Sequence, residues 1–180
     1  ILKSGVADLV ESFKAGEYGA GIALQEVNDP QAFGIADVDD EGAVTELVEK
    51  PDDPPTNLAL IGMYVFSPAI FDAIDRLEPS WRGELEITDA IQALLEDGHA
   101  IDSHIVTGWW KDTGKPEDIL EANRLVLGDK DLETAGIVED NAETTGQIEL
   151  TTSATIEEGA VVRGPVSIAA NTTGKAGAYV

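Results

Sequence analysis

Apolar residues along this chain fall into two rhythms, and the change between them comes near residue 128. Before it, helical periodicity alternates with short apolar or alternating runs. Val6, Leu9, Val10 and Phe13 share one helical face behind Ser4, a residue able to act as N-cap, and the segment ends near Gly16. Strands are predicted over 20–27, 33–38 and 43–49, with Asp39-Asp40-Glu41-Gly42 as a hairpin turn between the last two. A stiff proline-rich loop, 51–55, leads to an apolar run of strand length at 59–66. Ser67-Pro68 then opens a helix through Arg76, with cap and first-turn proline in order. The most amphipathic stretch is 84–96, where Ile87, Ala90, Ile91, Leu94 and Leu95 point one way and Gly98 is the stop. A strand at 101–106 and a helix over 116–127, closed by Gly128, complete the pattern of an α/β layered domain.

The second rhythm has a period of six. Residues 129–146 are polar and unpatterned, a linker by composition. Beyond them Leu150, Ile156, Val162 and Ile168 recur in register, Gly174 interrupts, and Val180 resumes. Two residues before each stands a small or β-branched residue: Ala154, Ala160, Val166, Thr172 and Ala178. Hexads of this kind predict the start of a β-helix over 147–180, in which each hexad forms one face of a coil. The alternative is an ordinary strand-rich tail. So few hexads cannot make a stable solenoid alone, so the sequence is expected to continue past Val180. The opening at Ile1, directly in a helical pattern, likewise suggests upstream sequence.

Charge narrows the class of partner. Acidic residues number 35 against 11 basic, a formal net charge of −24. Nucleic acid or an anionic membrane would require a basic footprint, so neither is expected as a partner. The carboxylates are scattered, which reads as a hydrated surface suited to a high-salt cytoplasm rather than as one acidic interaction face. With no Cys there is no disulfide and no thiolate metal site. His99 and His104 have no ligand spacing to each other or to a carboxylate. No apolar run is long enough to span a membrane.

Two short motifs carry candidate chemistry. Glu49-Lys50-Pro51 ends a predicted strand, where open α/β sheets place their ligands. A carboxylate there can accept from sugar hydroxyls, and the neighbouring ammonium can pair with a phosphate. By itself the tripeptide also reads as a solvated strand end. Trp110-Lys111-Asp112-Thr113-Gly114 lies between a strand and a helix. Asp112 could be a Mg²⁺ ligand, since Mg²⁺ takes one or two carboxylates plus substrate phosphates; equally, Asp112 or Thr113 could cap the helix that follows. Trp109 and Trp110 could stack on a sugar or base, or pack in the core. Arg82-Gly83-Glu84-Leu85-Glu86-Ile87-Thr88-Asp89 reads locally as an acidic first turn complementing a helix dipole, with no chemistry that requires its residues individually.

The order of these segments is more specific than any one of them. Phe33-Gly34-Ile35, Glu49-Lys50-Pro51, the run from Ser80 to Asp89 and the run from Gly108 to Pro116 together resemble the sugar-1-phosphate nucleotidyltransferases. The resemblance is strongest to long-form glucose-1-phosphate thymidylyltransferases, which carry a C-terminal left-handed β-helix; Val162-Arg163-Gly164-Pro165-Val166-Ser167-Ile168 is similar to its opening. It implies the C-terminal part of a Rossmann-like nucleotidyltransferase domain over 1–128. Gly34, Glu49 and Leu60 would line a glucose pocket, Glu49 binding hydroxyls and the other two offering backbone. Lys50 would contact the sugar phosphate. Asp112 would be a Mg²⁺ ligand with Trp110 nearby, and Lys50 and Asp112 would be the catalytic pair.

The activity so implied is nucleotidyl transfer from dTTP or UTP to glucose 1-phosphate. The sugar's phosphate oxygen attacks the α-phosphorus, giving dTDP-glucose or UDP-glucose and pyrophosphate without a protein nucleophile. The family's Gly-rich nucleotide loop and its Gly-Asp metal segment find no counterpart in this sequence. The chain is therefore expected to hold the sugar side of the site and to be inactive in isolation, with exposed apolar rungs favouring self-association. Two other classes stay open. One is a non-catalytic sugar-phosphate-binding or regulatory paralogue. The other is a β-helix acyltransferase or scaffold, which would typically place a His in the solenoid, whereas no His follows His104.

Overall fold

The computed structural model describes residues 1–130 and 133–180. They divide into two compact units, Leu2–Trp110 and Ile1 with Lys111–Val180.

The first unit is an α/β layer structure. Its elements are α1 (Val6–Ala15), β1 (Tyr18–Glu26), a 3-10 turn (Pro30–Ala32), β2 (Gly34–Val38), β3 (Val44–Glu49), β4 (Leu58–Phe66), α2 (Ala69–Ile74), α3 (Ile87–Glu96) and β5 (Ala100–Ile105). The five strands form one sheet in the order β3-β2-β4-β1-β5. The sheet is mixed: β1 runs parallel to β5 and antiparallel to β4, and β2 is antiparallel to both β3 and β4.

Strand β1 is buried on both faces, and its alternation separates two kinds of packing. Ala20, Ile22 and Leu24 join Ile70, Ala73, Ala90, Ile91 and Leu94 of α2 and α3 in the larger core. On the other face Ala23 packs with Leu9 of α1, Ile61 and Val106. The helix approaches this face closely, because a Cβ at Gly21 would come within 3.1 Å of Phe13. The β2–β3 hairpin closes on Asp39, whose Oδ1 accepts from Glu41 N–H at 3.0 Å and Ala43 N–H at 2.8 Å.

Three helix starts differ from the sequence expectation. Gly5, not Ser4, occupies the N-cap of α1, and the Ser4 hydroxyl faces the Thr107 carbonyl instead. Helix α2 begins after Pro68, with no side-chain cap from Ser67. Helix α3 begins at Ile87 rather than at 84, because the chain from Ser80 to Glu86 closes on itself first. Gly83 N–H bonds Ser80 O and Ser80 N–H bonds Glu84 O, both at 2.8 Å, with Gly83 at φ 77° supplying the left-handed turn.

The second unit carries α4 (Pro116–Gly128) and seven short strands: β6 (Ile137–Val138), β7 (Glu143–Thr145), β8 (Ile148–Leu150), β9 (Thr155–Ile156), β10 (Val161–Arg163), β11 (Val166–Ile168) and β12 (Thr173–Gly174). Helix α4 continues through Gly128 to its C-cap Asp129. The strands make three small parallel sheets, β10-β7, β11-β8 and β12-β9-β6. Ser167 pairs with Glu149, 18 positions earlier, and the other pairs keep that offset, so three hexads make one coil.

Leu150, Ala154, Ile156, Ala160, Val162 and Ile168 fill the interior, as the six-residue period requires. Corners are turned by Asn141 (φ 64°), Gly159 (φ 77°), Asn171 (φ 62°) and Gly177 (φ 80°), each placed before a small residue or Thr. Asn and Gly are the residues that take this left-handed conformation at least cost. The segment 129–146, expected to be a linker, includes β6 and β7, which pair with β9 and β10. The exposed residues of β7 are polar and those of β6, Ile137 and Val138, are only two, so pairing with the next coil, invisible to composition, is what makes them strands.

Among the described residues no helix is long and apolar enough to cross a membrane. Ile91 is fully buried between α3 and the sheet, so Ile91→Ala is expected to lower stability by about 2–5 kcal/mol. A urea denaturation series followed by circular dichroism would measure the loss.

Candidate functional site

The site forms where strand β3 ends. Gly34 and Glu49 pair across the β2–β3 ladder. Consecutive side chains on a strand point to opposite faces, so Glu49 and Lys50 would ordinarily diverge. Lys50 avoids this by adopting a left-handed backbone, φ 43°, while its N–H bonds Phe33 O at 3.0 Å. Its ammonium then lies 3.8 Å from Glu49 Oε1. A non-glycine residue in this region is uncommon and is held by its surroundings.

The Glu49 carboxylate is anchored from helix α3 and from the turn before it. Thr88 Oγ1 donates to Glu49 Oε2 at 3.0 Å, and Thr88 is 1% exposed. Arg82 Nη1 lies 3.4 Å from Glu49 Oε1 and 3.2 Å from Glu86 Oε1, while its Nη2 lies 2.9 Å from Glu84 Oε2. Ser80 ties the turn together: its hydroxyl donates to Glu86 at 2.9 Å and accepts from Arg82 N–H at 3.1 Å.

Gly34 has to be small. A Cβ there would stand 2.5 Å from Thr88 Cγ2 and 2.9 Å from Glu49 Oε2, with Leu60 Cδ1 at 3.8 Å. Tyr64 on β4 feels the same charge; burial and then Glu49 raise its phenol above the usual tyrosine range. Burial, and then Glu86, likewise push the Asp89 carboxyl up.

Of the residues singled out from sequence, Gly34, Glu49, Lys50 and Leu60 come together. Trp110 belongs to the same unit, with its ring edge-on to Phe33 at 5.5 Å and 69°. Trp109 is partly buried, and its Nε1 has no hydrogen-bond partner among the described residues. Asp112 lies in the other unit and is exposed. It does not cap α4: Lys115 is the N-cap, with its N–H bonded to Asp118 Oδ2 at 3.0 Å. Lys111 is engaged by Glu121 at 2.8 Å and Asp118 at 3.0 Å, which raises its ammonium above the ordinary lysine range. Among the described residues no three His, Cys, Asp or Glu side chains gather as a metal site.

Arg82, Glu86 and Thr88 were passed over in the sequence, where their segment read as a dipole-complementing first turn. The i,i+4 spacing of Arg82 and Glu86 was a visible signal for that pair alone.

A model of the nucleotidyl transferase family matches residues 1–128, the whole first unit and helix α4. The chain belongs to that family. It is 79% identical over 140 residues to the low-salt glycan biosynthesis nucleotidyltransferase Agl11 of Haloferax volcanii, covering 78% of this chain and 39% of that protein. It is 50% identical over 137 residues to the glucose-1-phosphate thymidylyltransferase of Streptomyces antibioticus, covering 76% and 38%. A crystal structure from Bacillus anthracis, described as a glucose-1-phosphate thymidylyltransferase in complex with a sucrose, superposes with a TM-score of 0.59 at 36% identity, over 68% of this chain and 49% of that one. The resemblance read from the motifs therefore holds for the family and for the mixed α/β nucleotidyltransferase fold.

Two measurements check the geometry. Gly34→Ala is expected to cost about 1–3 kcal/mol in denaturant unfolding through overpacking. Adding Thr88→Ser, which removes the clashing methyl, should recover part of that loss in a double-mutant cycle. Separately, Glu49→Gln should lower the Tyr64 pKa, because a negative charge opposing phenolate formation is gone. Near-ultraviolet titration of the variant against the parent, with Tyr64→Phe to assign the phenol, would show an unchanged midpoint if the two groups were uncoupled.

Proposed function

We propose that this chain supplies the sugar-phosphate side of a nucleotidyl transfer from dTTP or UTP to glucose 1-phosphate, yielding dTDP-glucose or UDP-glucose and pyrophosphate in nucleotide-sugar biosynthesis. The observation that carries the reading is the Glu49 carboxylate, held by Thr88 and Arg82 against a glycine with no side chain to displace it and beside a lysine turned to the same side.

In this reading Glu49 accepts hydrogen bonds from glucose hydroxyls, with backbone at Gly34 and Leu60 bounding the sugar and Trp110 near it. Lys50 and Arg82 receive the phosphate, Lys50 as a point charge and Arg82 through its planar fork. Holding the phosphate in place orients its oxygen for attack on the α-phosphorus and offsets repulsion between two anionic substrates. The attacking group already carries negative charge, so no protein base or nucleophile is assigned.

Asp112 suits a Mg²⁺ ligand: it is exposed, is not used as a helix cap, and a single carboxylate is enough where phosphates complete the shell. When bound, Mg²⁺ supplies neutralisation of the triphosphate charge. The parallel coils of the second unit, paired at an 18-residue offset, support a left-handed β-helix that follows the nucleotidyltransferase portion within 1–128. The chain spans 39% of the length of Agl11, so turnover is a proposal for the full-length protein.

Assay of the full-length protein with Mg²⁺, glucose 1-phosphate and either dTTP or UTP should release pyrophosphate, and the two rates decide the nucleotide. Asp112→Asn is expected to reduce kcat by about a hundredfold or more. Near-parental turnover in that variant would remove Asp112 from the metal assignment.

A further inference from the structure

Two carboxylates pair with the Arg82 guanidinium on its flanks, and they differ in kind. Glu86 faces Nη1 at 3.2 Å with a side chain 10% exposed, whereas Glu84 faces Nη2 at 2.9 Å with a side chain 62% exposed. Glu86 stands at the N-cap of α3, where a short polar side chain would ordinarily accept from first-turn N–H groups. Its carboxylate makes no such bond. It accepts instead from Ser80 Oγ and from Arg82.

A carboxylate buried at a helix start costs desolvation free energy. Helix capping does not offset it; the contacts that hold the carboxylate are those to Ser80 and Arg82, both in the turn that presents the guanidinium to Glu49. Glu84 is the opposite case: an exposed ion pair contributes little and parts readily. Its oxygen engages Nη2, one of the nitrogens through which a planar guanidinium binds a phosphate.

We propose that Glu86 is a positioning residue that fixes the Arg82 guanidinium against Glu49, and that Glu84 is a placeholder which the phosphate of glucose 1-phosphate displaces. The two carboxylates then act on sugar-phosphate affinity with opposite sign. Glu86 keeps the arginine side chain from regaining rotamer freedom; Glu84 competes with the ligand for Nη2. This rests on the reading that Arg82 and Lys50 receive the sugar phosphate.

The test is calorimetric titration of the full-length protein with glucose 1-phosphate, together with KM for each substrate, all at one salt concentration. Glu84→Gln should lower the Kd about threefold, the scale of an exposed ion pair. Glu86→Gln should raise it about tenfold, the scale of a charge-assisted hydrogen bond. KM for the triphosphate should stay put in both, which a general loosening of the fold would not leave unchanged. Ser80→Ala, a milder loss of the same support, should raise the Kd by a smaller factor, and it carries the test if circular dichroism shows Glu86→Gln unfolded. Shifts of the same sign in the Glu84 and Glu86 variants, or no shift, would overturn the proposal. A parent protein that does not bind glucose 1-phosphate would overturn the underlying reading, and this one with it.

Discussion

The Glu49 carboxylate joins strand β3 to helix α3 and to the turn before it, parts that otherwise meet through apolar packing and the Leu47 N–H bond to Gln92 Oε1. It ends the edge strand β3, accepts from Thr88 on α3, and faces Arg82 in the turn that precedes that helix. Each neighbour is constrained by it in turn. Gly34 must lack a side chain because the carboxylate and the Thr88 methyl already occupy that space. Lys50 must leave the strand in a left-handed conformation to reach the same side. The turn from Ser80 to Glu86 must close before α3 begins, or Arg82 could not point back toward the sheet. A carboxylate largely withdrawn from water, its side chain 17% exposed, tolerates few arrangements, since each unsatisfied lone pair is costly.

Electrostatics sharpen the picture. In a chain with 11 basic residues against 35 acidic, two of the cations converge on one carboxylate. Those two cations face three carboxylates, Glu49, Glu84 and Glu86. The result is a fixed set of donors and acceptors rather than a bare basic patch, and the proposed sugar-phosphate reading rests on it. Selectivity of this kind comes from fixed geometry and costs little reorganisation when the ligand arrives.

The second unit obeys different physics. Its coils are stabilised by their nearest neighbours, through ladders 18 residues apart and an interior of aliphatic and small side chains. A polar strand such as β7 is therefore admissible, because backbone pairing to β10 and the corner at Asn141 hold it in place. In the sheet unit the reverse holds: β1, sandwiched between helices, is nearly all apolar or small.

The sequence alone determined what depends on spacing along the chain. Two rhythms of apolar residues distinguished longer elements from short strands, and the elements predicted over 4–128 fall within a few residues of those observed, but the change near 128 is not where the two units part, since α4 groups with Lys111–Val180. The ordered motifs pointed to the right family and drew attention to Gly34, Glu49, Lys50 and Leu60. It misplaced the helix starts at Ser4 and Ser67, because a capping residue type says nothing of where its hydroxyl will find a partner. It mistook β6 and β7 for linker, because their partners lie a full coil, 18 residues, further along the chain. Above all it gave no role to Arg82, Glu86 and Thr88. Arg82 and Thr88 lie 33 and 39 residues from Glu49 in the chain, and only strand pairing and the packing of α3 bring them to one carboxylate. Periodicity is a local property and survives reading by eye; the meeting of polar side chains across a fold is decided by tertiary structure, where desolvation makes each partner count.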